Sequence, residues 1–488
     1  MFENLKRCCV DILCNGLTST ISGNLNLSRL HKRNGMTTKR LLLVSANRYA
    51  VPYPVYPLGV SYLLSYLQER LKGIEIRVFD MNLYNNQEFT AYLKHYNPDI
   101  TGVSLRNVDD VSSLSREFFL TGYKEIIDQI RNTLPETTLI IGGSAFSIFP
   151  EDLFNYFQPD FGIYGEGEKS LHELLTSIRK GSPNYSIDGL VYKEGSRTVV
   201  NPRNHYLSSL DLSFSSDMIQ FYWKKSGMMN LQTKRGCPYE CIYCTYPLIE
   251  GSKVRTLDPE KIVDSLKDLY FNKKINYIFF TDSVFNINRK FNLELARKIL
   301  ESGIKIQWGA YFSPHNITLE ELKLFAESGL THIEFGTESL SDSTLKHYRK
   351  HFTVNEVVDV SDMCNEIGIY FAHFLILGGY GETENSINEG FDNSKRINNS
   401  VFFPYIGMRI YPGTRLHELA LADGYIEPDD KLIEPAYYLA DNIDYKSLKE
   451  RSEKTGKRWV FPDEDVVTFM KRMRGRNRKG SLWHHLKR

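Results

Sequence analysis

Three cysteines are crowded into one short stretch of a chain that has only 7 cysteines among 488 residues. Cys237, Cys241 and Cys244 follow the spacing C-x3-C-x2-C, and Gly236 and Pro238 allow the chain to turn tightly around them. A zinc site usually takes four protein ligands, and no fourth Cys or His lies at a matching distance in the sequence. Three thiolates can instead bind three irons of a four-iron, four-sulfur (4Fe-4S) cluster. The spacing therefore predicts a cluster with one iron left open to an outside molecule.

The composition of the chain excludes several classes of protein. Its formal net charge is +1 with 24% charged residues, so no overall field favours nucleic acid or a membrane surface as partner. No apolar run approaches the roughly 20 residues that cross a bilayer, and the N-terminus lacks the pattern of a secretory signal. The odd number of cysteines and the tight trio do not suit a disulfide framework. We therefore expect a cytoplasmic protein that acts on a small molecule.

Short apolar strands alternate with amphipathic helices from Lys39 onward. Strands separated by helices of this length imply βαβ units and a parallel sheet. Ligands of such sheets bind beyond the carboxyl ends of the strands. The predicted strands are Arg40–Ala46, Ile74–Asp80, Asp99–Leu105, Thr137–Ser144 and a last one near Phe161.

Proline, glycine and polar residues collect where these predicted strands end. Glycine has no side chain, so its backbone can approach a ligand closely. Each position alone is weak evidence, but the order of all the strand ends together indicates one binding crevice. The candidates are Pro57, Gly59, Asp80, Ser104, Arg106, Gly142, Gly143, Gly165, Glu166 and Gly167.

A second run of strands and helices follows the cysteines. This alternation predicts a partial (β/α) barrel, whose catalytic residues lie at the carboxyl ends of its strands. The predicted strands are Tyr277–Asp282, Lys305–Phe312, His332–Ser339, Tyr370–Gly379 and Val401–Thr414. The candidates at their ends are Asp282, Ser283, Tyr311, Glu338, Ser339, Gly378, Gly379 and Arg409.

The length of the chain suggests two or three domains. We expect the last segment, which is basic around Trp483, to be a solvated helix end with Trp483 docked on the body; recognition of RNA or of an anionic substrate is the alternative. The predicted layout is a disordered extension over 1–38 (or a true start at Met36), a Rossmann-like α/β domain over 39–185, a linker over 186–225, the partial barrel over 226–425 and a small helical C-terminal extension over 426–488.

The cysteine spacing, with Tyr243 directly before the third cysteine, resembles the cluster motif of the radical S-adenosylmethionine (SAM) superfamily. Together with the N-terminal sheet, it resembles the cobalamin-binding class of that superfamily. The resemblance implies that Cys237, Cys241 and Cys244 hold a 4Fe-4S cluster whose open iron binds the amino and carboxylate groups of SAM. One electron from the cluster then yields a 5′-deoxyadenosyl radical. The resemblance also implies an electron donor such as flavodoxin or ferredoxin.

The same resemblance assigns roles at the ends of the barrel strands. Asp282-Ser283 would approach the methionine amino group, Glu338 the ribose, and the glycines of "LGGYGET" the adenine. An acid paired with an arginine for stability is the alternative for Glu338, and a simple turn is the alternative for the glycines. The residues placed around SAM are Tyr243, Asp282, Ser283, Glu338, Gly378, Gly379 and Arg409.

In the N-terminal half the resemblance implies cobalamin bound at the strand ends named above. Cobalamin domains that replace the lower ligand of cobalt do so with a histidine in Asp-x-His-x-x-Gly, but this chain has Asp80-x-Asn82. Asn82 carries no imidazole, so cobalt cannot be ligated from below in that way. Arg106 would lie near the lower face and discourage a donor ligand; a surface pair with Asp109 or Asp110 is its alternative. A sheet domain that has lost its cofactor is the other interpretation.

A cobalt cofactor beside a radical-generating cluster defines the expected reaction. One SAM would methylate reduced cobalt, and a second would give the radical that takes a hydrogen from an unactivated carbon, which then collects the methyl group. We therefore expect a cobalamin-dependent C-methyltransferase of a small molecule or natural product, with no membrane or nucleic-acid partner. The alternatives are cobalamin-dependent ring formation or rearrangement, modification of RNA or protein without cobalamin, and a non-enzymatic scaffold.

Overall fold

The computed structural model describes residues 40–208, 214, 216–441 and 443–486. Two seven-stranded sheets form the body of the protein. None of the helices within these ranges is both long enough and apolar enough to span a bilayer. The extension predicted over 1–38 lies outside the described residues.

The first sheet is built from the N-terminal strands β1 (Arg40–Ser45), β2 (Glu75–Asp80), β3 (Ile100–Ser104), β4 (Thr138–Gly142), β5 (Phe161–Ile163), β6 (Leu190–Glu194) and β7 (Arg197–Val200). Their order is β2-β1-β3-β4-β5-β6-β7. β1 to β5 are parallel, and β6 and β7 add an antiparallel hairpin at one edge. The predicted α/β, Rossmann-like sheet is confirmed, and the hairpin, which the sequence places in a linker over 186–225, belongs to this sheet.

Helices cover both faces of this sheet because its central strands are apolar on both sides. On β1, Leu41 and Leu42 are fully buried and point into two different hydrophobic clusters. Continuous apolar runs of this kind are typical of parallel strands that are covered on both faces. The helices of this part are Leu58–Arg70, Asn86–Tyr96, Leu120–Thr133, Ser144–Ile148, Pro150–Phe157 and Gly167–Arg179.

The remaining strands are β8 (Met229–Leu231), β9 (Lys234–Arg235), β10 (Arg255–Thr256), β11 (Tyr277–Phe280), β12 (Gln307–Phe312), β13 (Leu330–Glu338), β14 (Tyr370–Leu377), β15 (Ser400–Ile406), β16 (Met408–Arg409), β17 (Tyr437–Tyr438) and β18 (Arg458–Trp459). Seven of them form a parallel sheet in the order β18-β15-β14-β13-β12-β11-β8. The pairs β9–β10 and β16–β17 are antiparallel. This open parallel sheet with its helices is the partial barrel that the sequence predicts.

The barrel helices begin where the sequence supplies capping residues. Thr318, Thr353 and Thr383 each accept a hydrogen bond from the backbone nitrogen three residues on, and the side chain at that position accepts one from the backbone nitrogen of the cap. The helices are Ser216–Ser226, Tyr246–Glu250, Pro259–Lys267, Arg289–Glu301, Leu319–Glu327, Asp342–His347, Val354–Ile367, Glu384–Ser394, Arg415–Ala422, Tyr445–Lys454 and Val466–Gly475.

Alternate residues of the barrel strands face opposite sides. On β13, Ile333 and Phe335 pack into the main hydrophobic core with residues of the helices. Since side chains alternate along a strand, Glu334 faces the barrel interior. The same argument places Tyr311 of β12 in the interior, because its neighbour Phe312 belongs to the core. The polar and aromatic residues that could do chemistry therefore share one interior surface.

The C-terminal segment closes the amino end of the barrel. β18 pairs with β15 at the edge of the sheet, and a short 3-10 helix, Leu482–Leu486, packs against β14 and β15. Trp483 is 5% exposed, and its indole Nε1 donates to Oε1 of Glu334 at 3.0 Å. The predicted docking of Trp483 on the body is confirmed. The segment contains the helices Tyr445–Lys454 and Val466–Gly475, and its strand β18 joins the barrel sheet.

A buried ion pair joins the segment after β3 to β16. Nε of Arg409 lies 2.9 Å from Oδ2 of Asp109, and the two side chains are 2% and 0% exposed. The same guanidinium donates to the backbone oxygens of Ile410 and Leu432. Arg409, which the sequence places among the cofactor-binding residues, is thus occupied by protein partners. Asp109, one of the partners proposed for Arg106, is bound to Arg409.

Replacing Asp109 with alanine should strongly destabilise the protein, because it leaves the Arg409 guanidinium buried without its counter-charge. We expect a loss of about 3–5 kcal/mol in the free energy of unfolding, measured by urea denaturation. The control is Glu418→Ala, which breaks the exposed Arg415–Glu418 pair and should cost no more than about 1 kcal/mol. Equal losses in the two variants would contradict a structural role for the buried pair.

Candidate functional site

The cysteine loop is held in shape by its own backbone and by glycine. The backbone nitrogen of Cys237 donates to the oxygen of Gly251 at 3.1 Å, and that of Cys244 donates to the oxygen of Cys241 at 3.1 Å. Gly236 has φ +86°, and a Cβ there would lie 2.2 Å from the backbone oxygen of Lys253. Only glycine therefore fits directly before the first cysteine of the motif.

The three thiols of the loop are free of disulfides and lie close enough to influence one another's ionisation. Burial, reinforced by the neighbouring Cys241, raises the pKa of Cys244 to about 12, and burial also raises the pKa of Cys237. A buried thiol in this state loses its proton when a metal takes up the negative charge of the thiolate. The donor set fits an iron-sulfur cluster.

The loop is not arranged around a single metal ion. Among the residues that the structure describes, no three Cys, His, Asp or Glu side chains are grouped so that they could hold one ion. Each thiolate of a 4Fe-4S cluster binds a different iron, so its three cysteines need not converge on one point.

Glu338 is aimed at the cysteine loop by an irregularity of its strand. The register between β13 and β14 shifts between Gly336 and Glu338, and Glu338 has φ +64°. Such bulges redirect side chains next to active sites. The hydroxyl of Tyr243 donates to Oε1 of Glu338 at 2.7 Å, and Nζ of Lys350 lies 3.6 Å from the same oxygen. Glu338 therefore has a lysine and a tyrosine as partners, where the sequence alternative assumed an arginine.

The carboxylate of Asp282 is hydrogen-bonded to residues of its own domain. It is 0% exposed, and its carboxylate accepts from the backbone nitrogens of Thr233 and Lys234 at 2.6 and 3.1 Å. The Thr233 hydroxyl at 2.5 Å and the Lys234 ammonium at 2.8 Å complete its partners. Four protein donors surround this carboxylate, so it holds β8 to β11. Ser283 donates to the oxygen of Gly236 at 3.4 Å and lies beside the cysteine loop. The contacts of both residues with SAM stay predictions.

The glycine-rich segment after β14 turns back on itself. Gly378 has φ +81°, and its backbone nitrogen donates to the carboxyl of Glu382, whose pKa burial raises to about 8. A Cβ at Gly379 would lie 2.1 Å from the Tyr348 hydroxyl. The turn therefore requires both glycines for its own conformation, and their packing against adenine stays a prediction.

A cavity of about 620 Å³ lies between the two sheets. Its wall joins the strand ends of the first sheet to Thr245 and Tyr246, which directly follow the last cysteine of the loop. The predicted cobalamin-binding residues that line it are Pro57, Gly59, Ser104, Arg106, Gly142, Gly143, Gly165, Glu166 and Gly167. The structure thus brings most of the strand-end candidates together at one cavity.

Backbone approaches closely at the centre of this wall. A Cβ at Gly142 would lie 2.9 Å from the oxygen of Ile163, and one at Gly143, with φ +98°, would lie 2.4 Å from the oxygen of Leu105. Only glycine therefore fits at these two strand ends, because neighbouring backbone fills the space that a side chain would take, and both glycines line the cavity.

Asp80 and Asn82 are not among the residues that line the cavity. The Asp80 carboxyl accepts from the Tyr222 hydroxyl at 2.6 Å, and burial raises the pKa of Asp80 to about 6. The Asn82 amide donates to the oxygen of Asn47 at 2.8 Å and to Tyr222 at 3.2 Å. No histidine of the described residues lines the cavity. The polar side chains at the end of β2 therefore bind protein atoms.

The turn after β5 is tied to the cysteine loop by charge. Nη2 of Arg235 lies 2.8 Å from Oε1 of Glu168, and Nη1 of Arg255 lies 2.6 Å from Oε1 of Glu166. Nη1 of Arg235 also approaches Glu166 at 3.6 Å, and all four side chains are at most 12% exposed. Glu166, predicted to contact the cofactor, thus also forms part of a buried ion network.

Two residues of the site were not predicted from the sequence. Nζ of Lys350 lies 3.8 Å from Sγ of Cys241, yet no motif marks this lysine in the sequence. Arg235 stands two positions before the first cysteine, and a basic residue beside a ligand motif is a signal that could have found it.

Two family models match the chain. The B12 binding domain matches residues 45–175, and the Radical SAM superfamily matches residues 231–392. An uncharacterized methyltransferase of Pyrococcus horikoshii is 26% identical over 80% of this chain and 85% of that protein. Tryptophan 2-C-methyltransferase of Streptomyces laurentii is 23% identical over 74% of this chain and 72% of that protein.

A solved structure shares the fold over nearly the whole chain. It is that of the radical SAM methyltransferase TsrM from Kitasatospora setae, with cobalamin and a 4Fe-4S cluster bound. The TM-score is 0.81 at 21% identity, and the match covers 92% of this chain and 97% of that chain. The fold, with its two sheets in this order, is therefore a known architecture.

Replacing Gly143 with alanine should weaken cobalamin binding, since the new Cβ must displace the strand end from Leu105. We expect at least about tenfold weaker retention, or ~1.4 kcal/mol, in equilibrium dialysis against hydroxocobalamin. The control is Gly122→Ala in an exposed helix, where a Cβ meets nothing within 4 Å. Wild-type retention in Gly143→Ala would show that cobalamin does not depend on this strand end.

Proposed function

Because this chain combines an N-terminal B12-binding domain with a radical SAM domain, it is a cobalamin-dependent radical SAM enzyme, and we propose that it methylates an unactivated carbon of a small molecule. The two relatives described above are named as methyltransferases and match both halves of the chain. The substrates of those relatives are not carried over to this protein, whose own residues indicate the class of substrate.

One observation supports the proposal most directly: a single cavity is lined both by the predicted cobalamin-binding strand ends and by residues that follow the cysteine loop. Gly142 and Arg106 line it from the first sheet, and Tyr246 lines it two residues after Cys244. When bound, the cluster with SAM supplies a carbon-centred radical and cobalamin supplies a methyl group. A shared cavity lets one substrate meet both groups while the surrounding protein excludes water.

The residues of the chain hold and orient these groups. The three cysteines would bind the cluster, and the Lys350 ammonium lies beside Cys241 and Glu338, where it offsets their negative charge. Tyr243 fixes the orientation of Glu338 through its hydrogen bond. Gly142 and Gly143, which line the cavity, would help to hold cobalamin.

An electron donor and a location complete the proposal. Each cleavage of SAM consumes one electron, so we propose a one-electron carrier such as flavodoxin or ferredoxin as the partner. The free thiols of the described cysteines support a reducing, cytoplasmic setting.

The Cys241→Ala variant should lose the cluster and with it the cleavage of SAM, because a second iron then has no protein ligand. The measurement is the yield of 5′-deoxyadenosine and S-adenosylhomocysteine after anaerobic reconstitution and chemical reduction, together with bound iron. Cys364→Ala is the matched control, since Cys364 is buried in the core of the barrel. A normal yield from Cys241→Ala would overturn the cluster assignment.

The bound cobalt should have no nitrogen ligand from the protein. Because no described histidine lines the cavity, the electron paramagnetic resonance spectrum of Co(II) should lack splitting from a nitrogen nucleus. Cobinamide, which has no base of its own, is the probe, so any nitrogen splitting must come from the protein. A split signal would contradict the arrangement at Asp80 and Asn82, and a lack of bound cobinamide would favour a radical enzyme without cobalamin.

A further inference from the structure

The interior of the barrel ends at a buried acid. Glu334 is 7% exposed, and Oε1 of its carboxyl accepts from the indole of Trp483 at 3.0 Å. The groups that act on its ionisation are Trp483 and Ser481, and no basic side chain of the described residues is among them. Buried carboxylates are normally paired with a cation, because leaving one unpaired is costly.

Tyrosines surround an open space next to this acid. Tyr311 stands directly opposite Glu334 in the register of β12 and β13. Tyr246 and Tyr405 are close enough to the Tyr311 hydroxyl to influence its ionisation. The exposed fractions of these three tyrosines are 39%, 40% and 40%. Tyr311 and Tyr405 alternate on their strands with the core residues Phe312 and Ile406, so their exposed surface borders empty space inside the barrel.

This tyrosine-lined space opens toward the cofactors. Tyr246 belongs both to this group and to the wall of the cavity between the sheets, which also includes Thr281 at the end of β11. Along β13, Glu334 precedes Glu338 by four residues, which corresponds to roughly 13 Å at the rise of a strand. A molecule with one or two rings and a short side chain spans that depth.

We propose that this space is the substrate site of the enzyme and that Glu334 sets its specificity by binding a protonated amine of the substrate. The inference rests on the proposed function and deepens it by naming the class of substrate. An ammonium group supplies the counter-charge that Glu334 lacks, and its charge also suits the faces of the tyrosyl rings. An uncharged group of the same shape would leave the carboxylate unpaired.

The ionisation of Glu334 agrees with this assignment. Burial raises the pKa of Glu334 to about 7, so about half of the empty sites carry a proton at pH 7. A bound ammonium favours the carboxylate form, so binding at pH 7 should release protons, and the release should vanish at pH 9, where the acid is already ionised. The titratable groups that face Glu334 are Tyr53, Tyr277, Tyr311 and Tyr405, with His332 on its own strand. A cation, Arg474, lies beyond Tyr53, 4.8 Å from the centre of that ring, and is not among the groups that act on Glu334.

The test uses the full chain reconstituted with cluster and cobalamin, and calorimetry with two probes, phenethylamine and its uncharged analogue 2-phenylethanol. We expect wild-type protein to prefer the amine, and Glu334→Gln to bind the amine roughly tenfold or more weakly while binding the alcohol unchanged. The amide oxygen of glutamine can still accept from Trp483. Glu418→Gln, which removes one exposed carboxylate elsewhere, should behave as wild type.

Three results would overturn the inference: equal affinity of wild-type protein for the two probes, unchanged amine affinity in Glu334→Gln, or no amine binding by wild type. Proton release is measured on the wild type alone, in buffers of different ionisation enthalpy, so this part of the test does not depend on the folding of a variant. Equal proton release at pH 7 and pH 9 would also overturn it.

The same samples separate this inference from the proposed function. Cleavage of SAM and retention of cobalamin are measured in each preparation beside the binding of the probes. A wild-type sample that binds neither cofactor refutes the proposed function, regardless of its affinity for phenethylamine. A sample that cleaves SAM but binds phenethylamine without regard to Glu334 refutes only the assignment of the substrate.

Discussion

The buried charge network between the turn after β5 and the cysteine loop is the constraint on which the site depends. Arg235 and Arg255 meet Glu166 and Glu168 where neither sheet admits much water. Charges in such a place are held at fixed distances, because losing one partner leaves the other uncompensated. Arg235 is followed at once by Gly236 and the first cysteine. The position of the loop relative to the first sheet is therefore set by ion pairing, and the stretch of chain between the two sheets does not have to fix it.

The remaining polar residues divide into those that the protein saturates and those that it leaves unsatisfied. Asp282 and Arg409 have full sets of protein partners and hold strands and domains together. The carboxyl of Glu334 lacks a cationic partner, and the buried thiols keep their protons unless a metal takes up the charge of the thiolates. Buried groups that the protein does not satisfy are costly, so they mark where ligands contribute. These groups lie at the cysteine loop and in the barrel interior.

Local pattern accounts for what the sequence predicts well. Apolar runs predict the strands and helices, and the cysteine spacing predicts the cluster loop, because each depends on neighbours in the chain. Partners that are distant in sequence were not predictable in this way: Asp109 meets Arg409 across 300 positions. The sequence places the hairpin at 190–200 in a linker, because two short strands give no indication of which sheet they pair with. Glu334 was detectable in principle, since it stands four positions before Glu338 on the same predicted strand.

The hydrogen bond from Trp483 to Glu334 crosses 149 positions of chain. During synthesis at about 5–20 residues per second, roughly 7–30 s pass between the emergence of the acid and that of its donor. Through that interval the barrel strands can pair while their amino end stays open to solvent. The amino end of the barrel is thus closed late in synthesis. If the ribosome pauses after β15, the barrel interior stays open to solvent at that end.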